Sequence, residues 1–396
     1  MEFLLSDEEQ AFQEAVRKFG DKFLRPNEQK IDTEGKIPAA VLEEMAHLGL
    51  LAMPVPTELG GMGASAVLTE LAAEEIGRGD SSMATAVFFL LEAGWGWVFA
   101  KHGRPEVKAR VLPPVTQGRA FLGIATTEPT GGSDLAGMRT RSRREGDHFI
   151  VHGEKSYISG VEEAKHLGGG HLTLTKAEGG GFNFLYIPID SPGISTQKFE
   201  NMGRMGISTG AITYQDATVP ARYLLGTDGK GFDLAMEGFS VARTFVSAAC
   251  VGAAERALET GMAYIRERTA FGQPLGKFEG IQFELVDLWT QVEAVKWQCR
   301  RAAWLTDRYL AEPTPALRSE VNRAVASVKL TAPQIAFECV KRVMMWHGAS
   351  GYTRDVGLEI GFRGIMSYLV GAEGGLNIMR IILARELLGK EFLPYK

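Results

Sequence analysis

Near the C-terminus, residues 371–375 read GAEGG, which sets Glu373 among small neighbours immediately before an apolar run. A carboxylate placed there can face a cavity beside the positive end of a helix, and burial would raise its pKa towards that of a working general base. Taken alone, the same glutamate reads better as a helix cap. A second segment, IATTEPTGGSD at 124–134, packs hydroxyls, glycines and free backbone N–H groups together, or is simply a polar turn. Other catalytic patterns are missing. The seven histidines include no HExxH pair, so no metal site is expected, and neither a GxxxxGK[ST] phosphate loop nor a GxSxG elbow occurs. The GTDGKG stretch at 226–231 does not link a strand to a helix in a βαβ unit and reads as a turn.

Three regions must position these residues, and the fold class expected from them is α+β. Residues 1–118 are helical in pattern: Ser6 and Glu9 form a capping box, and Phe12, Val16, Phe19 and Phe23 follow at helical spacing. A second helix starts near Pro38, and helical periodicity returns from Ala66 to Gly77 and again from Ser81. Between 119 and 233 the texture changes to strands at 148–158, 171–176, 182–188 and 211–219, punctuated by glycine and proline; a small antiparallel barrel or packed pair of sheets is expected. Residues 234–396 return to helix, with amphipathic stretches over 239–268, 282–310 and 316–346 and a closing helix at 376–388.

Composition narrows the class. The 396 residues are 45% apolar and 23% charged, which excludes disordered and collagen-like chains, and 43 basic against 48 acidic residues give a net charge of −5. That balance argues against general nucleic-acid binding. Cys250, Cys299 and Cys339 form no CxxC pair and are expected to be reduced and buried. The apolar stretch 84–100 holds Glu92 and two glycines within 17 residues, too short and too interrupted for a membrane span. The opening MEFLLSDEEQ shows no basic region followed by an apolar one, so a cytoplasmic location is expected.

Seven motifs in order carry a resemblance: PTELGGMG at 56–63, TEPTGGSD at 127–134, GEKSYISG at 153–160, MGRMGISTGAITYQDATVP at 202–220, RERTAFGQPL at 266–275, HGASGY at 347–352, and the final EGG with ILARE. Together they resemble the acyl-CoA dehydrogenase family over essentially the whole chain. The resemblance implies an all-α N-terminal domain, a middle β-barrel and a C-terminal four-helix bundle, assembled as a homotetramer around FAD. It implies that Thr126 and Thr127 contact the flavin ring, with Tyr157 and Ser159 on its other side, tyrosine standing where many members carry tryptophan. Arg268 and Phe271 would reach the FAD of a neighbouring subunit, and Gly348 and Asn377 belong to the same cofactor set. Ser133, Ser240, Arg243 and Gly374 would meet the acyl-CoA. Several positions depart from the family pattern: Met345 and Glu279 stand where glutamine is usual, Ala349 interrupts the HGGxG pattern, Gly375 removes a hydroxyl, and Asn377 replaces a frequent glutamine.

The chemistry so implied is removal of the α-proton of an acyl-CoA thioester by Glu373 and transfer of a β-hydride to flavin N5. The electrons would pass to an electron-transfer flavoprotein. Some relatives carry the base one residue before an arginine in the third region; that position is Ala242, followed by Arg243, so Glu373 gains weight. Phe88, Phe89, Trp95 and Trp97 would fit a ring or branched chain, or form core. Glu92 among them faces solvent, pairs with a lysine, or reads a ring or carboxyl substrate. A flavin oxidase or monooxygenase on the same scaffold and a non-catalytic relative are the competing readings.

Overall fold

The Ser6 hydroxyl accepts from the Glu9 amide while the Glu9 carboxylate accepts from the Ser6 amide, so the expected capping box opens helix α1 (Asp7–Phe19). A computed structural model describes residues 4–394. A π-helical turn, Gly20–Leu24, continues α1. Helices α2 (Glu28–Glu34), α3 (Ala39–His47), α4 (Ala66–Gly79), α5 (Ala84–His102) and α6 (Pro105–Thr116) complete the N-terminal part.

The middle part contains β1 (Phe121–Ala125), β2 (Arg141–Glu145), β3 (His148–Ser159), a short helix α7 (Val161–Leu167), β4 (Gly169–Ala177), β5 (Phe182–Pro188), β6 (Ile194–Lys198) and β7 (Thr209–Pro220). Seven strands form one curled sheet in the order β1-β4-β2-β3-β7-β6, with β5 also pairing β4. The sheet is mixed rather than wholly antiparallel. β1 runs parallel to β4 over residues 169–173, and β2 runs parallel to it at 176–177, so two strands share one edge of β4 and the sheet bends between them. Antiparallel β5 takes the other edge.

The C-terminal part is built on α8 (Gly231–Glu267), the β8–β9 hairpin (Thr269–Ala270 and Gln273–Pro274), α9 (Glu279–Ala311) and α10 (Pro315–Trp346). Two shorter helices, α11 (Leu358–Val370) and α12 (Leu376–Leu388), pack on α10. At 37 residues, α8 is about 55 Å long. By length and composition it could cross a membrane, but 78% of its most apolar window is buried inside the protein, so it is a core helix. The stretch 84–100 likewise lies in the buried helix α5.

Two glycines let α4 and α8 cross backbone to backbone. A Cβ on Gly77 would stand 2.1 Å from the Ala249 carbonyl oxygen, and one on Gly252 would stand 1.8 Å from that of Glu74. Glu70 and Glu74 are buried beside this crossing and meet half-buried partners: Arg300 Nε lies 2.9 Å from Glu70, and Lys296 Nζ lies 3.1 Å from Glu74 and 2.7 Å from Glu255. The N-terminal and C-terminal helices therefore share one core, and the sheet is held against it through α5. All three cysteines are free and buried.

Candidate active site

Glu373 occupies the turn between α11 and α12, at φ +56°, a left-handed conformation that a residue with a Cβ adopts at a cost. Gly374 follows at φ +99°. A Cβ on Gly374 would stand 3.3 Å from the Met379 methyl and 3.4 Å from Arg243 Nη2, so the small residue is needed for the turn to close on that arginine. Arg243, on α8, donates from Nε to the Glu373 carbonyl at 2.9 Å. The Glu373 carboxyl oxygen Oε2 is buried with no hydrogen-bond partner. Its amide N–H likewise donates to no group among the described residues.

Burial pushes the Glu373 carboxyl up to about 7, against the opposing pull of Arg243, Lys329 and Arg204. Such a group is half ionised near neutral pH, which suits a general base. Ala242, the alternative position, is fully buried and packs against Gly94 of α5, where an added Cβ would lie 3.4 Å from its own. No acid stands there.

A cavity of about 610 Å³ adjoins this turn, and Ser240, Arg243 and Ile378 line it. Its further walls include Trp97, Asn322, Arg318 and Arg385. Of Phe88, Phe89, Trp95 and Trp97 on α5, Trp97 alone lines this space. Trp95 is enclosed, edge-on to Phe239 at 5.1 Å, Phe88 packs against Phe121 at 5.5 Å, and Phe89 is fully buried. Glu92 is also fully buried and accepts from the Leu122 amide at 3.1 Å, tying α5 to the start of β1. The expectation that it faces solvent, pairs with a lysine or reads a substrate is therefore replaced by a structural role. Burial raises its carboxyl well above the ordinary range, opposed by the Leu122 amide.

The flavin-side residues come together where β1 ends against β3. The Ser156 amide donates to the Thr127 carbonyl at 2.9 Å. Lys155, fully buried, donates to the Thr126 carbonyl and to Glu128, each at 3.0 Å. Glu128 in turn accepts from the Arg139 and Thr140 amides. This network fixes the 126–128 turn. Beside it Tyr157 is 68% exposed at φ +60°, edge-on to Phe199, while Ser159 is half-buried and Ser133 exposed. A Cβ on Gly132 would stand 3.2 Å from the Thr127 methyl, so the glycine leaves this face open. An exposed aromatic in a strained conformation next to fixed hydroxyls and amides fits a planar heteroaromatic ring.

The remaining cofactor residues lie elsewhere. Arg268 caps the far end of α8, 24 helical residues and about 36 Å from Arg243. Phe271 sits 96% exposed at the tip of the β8–β9 hairpin, at φ +52°. Gly348 and Asn377 are exposed, Asn377 accepting from Arg380 at 2.9 Å. Sequence reasoning missed Lys155, Lys329, Tyr368 and Arg204. For Lys329 a signal existed: it falls on the buried stripe of α10, four residues after Val325.

Models of the N-terminal, middle and C-terminal domains of acyl-CoA dehydrogenases match residues 6–119, 123–217 and 229–388. A probable acyl-CoA dehydrogenase of Bacillus subtilis, YngJ, is 32% identical over 98% of this chain and 100% of that one. The human mitochondrial short-chain specific acyl-CoA dehydrogenase is 31% identical over 97% and 91%. Among solved structures, a glutaryl-coenzyme A dehydrogenase in complex with glutaryl-CoA superposes with a TM-score of 0.90 at 27% identity, covering 98% of this chain and 96% of that one. Butyryl-CoA dehydrogenase of Megasphaera elsdenii does so with a TM-score of 0.89 at 25% identity, covering 98% and 100%. With three domain models in sequence, near-complete coverage of its relatives and a buried carboxylate on the turn before its last helix, the chain belongs to the acyl-CoA dehydrogenase family.

Proposed function

We propose that this flavoenzyme dehydrogenates an uncharged, short or branched acyl-CoA thioester, with Glu373 as the α-proton base and an electron-transfer flavoprotein as electron acceptor. The family is FAD-dependent, and the Thr126, Thr127, Tyr157 and Ser159 face fits the flavin. Bound FAD supplies the acceptor for the β-hydride.

The chain's own residues perform the proton chemistry. An α-proton beside a thioester is far less acidic than a carboxylic acid, so its removal needs a positioned base and a donor to the thioester oxygen. The unpartnered Glu373 Oε2 supplies the first, and the free Glu373 amide supplies the second. Arg243 holds the carbonyl of the same residue and so fixes both groups together. Arg318 and Arg385 line the cavity and suit the phosphates of CoA.

Two features support an uncharged acyl group. Between Ala84 and Ala100, α5 carries no lysine or arginine that would neutralise a distal carboxylate. Curated relatives also include short-chain specific and isobutyryl-CoA dehydrogenases. The buried, unpartnered Oε2 of Glu373 is the observation that carries the reading. A panel of butyryl-, isobutyryl-, octanoyl- and glutaryl-CoA, scored by anaerobic bleaching of the flavin, tests it. Rapid bleaching by the short uncharged members is expected; bleaching by none of them, or by glutaryl-CoA first, overturns it. Rapid reoxidation of the reduced enzyme by oxygen would point instead to an oxidase.

A further inference from the structure

Lys329 is fully buried in the interior of α10, among Val321, Val325, Val328 and Ala332, and it lines no part of the cavity beside Glu373. A lysine so enclosed needs a reason, since burying an ammonium is costly unless it is paired and hydrogen-bonded. Its one hydrogen bond runs from Nζ to the Tyr368 carbonyl at 2.9 Å.

That carbonyl belongs to the last turn of α11, where backbone oxygens run out of helical partners. The amides of Gly371 and Ala372 both donate to Ser367, at 3.2 and 3.1 Å. Ala372 would ordinarily have served Tyr368, so the Tyr368 oxygen is left for Lys329. A cation at a helix C-terminus also meets the negative end of the dipole. Directly beyond this point the chain turns left-handed through Glu373. Lys329 thus holds the turn at its entry, as Arg243 holds it at the Glu373 carbonyl.

We propose that Lys329 is a positioning residue for the base: it fixes where the Glu373 turn leaves α11, and its charge favours the ionised form of the Glu373 carboxyl. The inference rests on the reading of Glu373 as the α-proton base. The groups facing Glu373 are Arg243 from α8, Lys329 from α10, Tyr368 from α11 and Arg204 from the segment before β7, while Cys250 of α8 faces Lys329 and Tyr368. Burial lowers Lys329 to about 8, so it is still charged where Glu373 titrates near 7.

The test compares the parent holoenzyme with K329M, which keeps the unbranched apolar stem of the side chain and loses donor and charge. Amide exchange at 371–374 is expected to speed up by about tenfold, the loss of roughly one hydrogen bond. The limiting rate of flavin reduction should fall about tenfold or more with KM changed less than about threefold. The acid limb of its pH profile should move up by at least about half a pH unit, because removing a cation favours the protonated carboxyl. K329Q, which keeps a donor without the charge, reports the same limb if K329M does not fold. Parental exchange rates together with a parental acid limb overturn the proposal. If no acyl-CoA reduces the parent, the reading of Glu373 falls while the exchange measurement still decides the role of Lys329 at the turn.

Discussion

Glu373 combines a strained backbone with a carboxyl held near 7, and both follow from small neighbours and a buried seat rather than from any charged partner that quenches it. Arg243, Lys329 and Arg204 lower its pKa, yet burial outweighs them. Replacing it as Glu373→Gln keeps shape and hydrogen bonding and abolishes basicity. Flavin reduction should then fall by at least about a hundredfold while FAD and acyl-CoA still bind; bleaching at the parental rate would place the base elsewhere. Glu92 offers the contrasting case of a fully buried carboxyl, pushed well above its ordinary range and anchored on one backbone amide. Glu92→Gln should leave the ranking of acyl-CoA substrates and the melting temperature close to parental, since an acceptor remains for the Leu122 amide. Glu92→Ala strands that amide and should destabilise by about 1–3 kcal/mol before any cavity is counted. Equal stability of the two variants would remove the Leu122 bond from the account.

At the scale of elements, the flavin-side face depends on strands that hold each other's turns. His171 on β4 is buried with Nε2 3.0 Å from the Ser159 carbonyl, so it fixes the end of β3 as Lys155 fixes the end of β1. Burial lowers His171 from 6.5 to about 4, so the native state binds fewer protons than the unfolded one across that window. The stability it contributes is present above 6.5 and lost as pH falls towards 4. Between pH 7 and pH 5 the parent should lose about 2 kcal/mol more than His171→Gln, measured by denaturant unfolding; parallel losses would sink this assignment. Much of this layer was legible in the sequence. β5 and α12 span the residues that alternation and periodicity indicate, because clear punctuation bounds them: a glycine turn before Phe182, Gly374 and Gly375 before Leu376. Helix α11 was not, since it follows a glycine-rich stretch and is itself interrupted by Gly361 and Gly364. A Cβ on Gly364 would stand 2.2 Å from the Ser82 carbonyl oxygen, so that glycine serves a close approach that one chain's sequence does not announce. The parallel pairs on β4 were hidden for a related reason: local alternation gives a strand but says nothing of its neighbour's direction.

At the scale of the molecule, one subunit leaves surface that a stable monomer seldom shows. Helix α9 presents Phe283, Val286, Trp289 and Trp304 at 62%, 58%, 53% and 42% exposure, spaced along one side. Contiguous exposed aromatics of this kind mark association surfaces. The β8–β9 hairpin beside the start of α9 holds out Phe271, and Arg268 stands at its base, about 36 Å along α8 from Arg243. Arg268 and Phe271, which the family resemblance assigns to the FAD of a neighbouring subunit, are thus exposed at the far end of α8, open to an adjoining subunit. Flavin retention and assembly should then be linked by mass action, the cofactor stabilising the assembled form and the assembly holding the cofactor. Arg268→Ala should leave the secondary structure intact and weaken FAD retention by about tenfold or more, the scale of a charge-assisted contact. Trp289→Glu, a position outside the set of proposed cofactor residues, should lower the oligomeric state in light scattering and release flavin in parallel as the protein is diluted. A dissociated Trp289→Glu protein that stays yellow at the parental FAD affinity would show that each subunit holds its cofactor alone, and the exposed Phe271 would then need another partner.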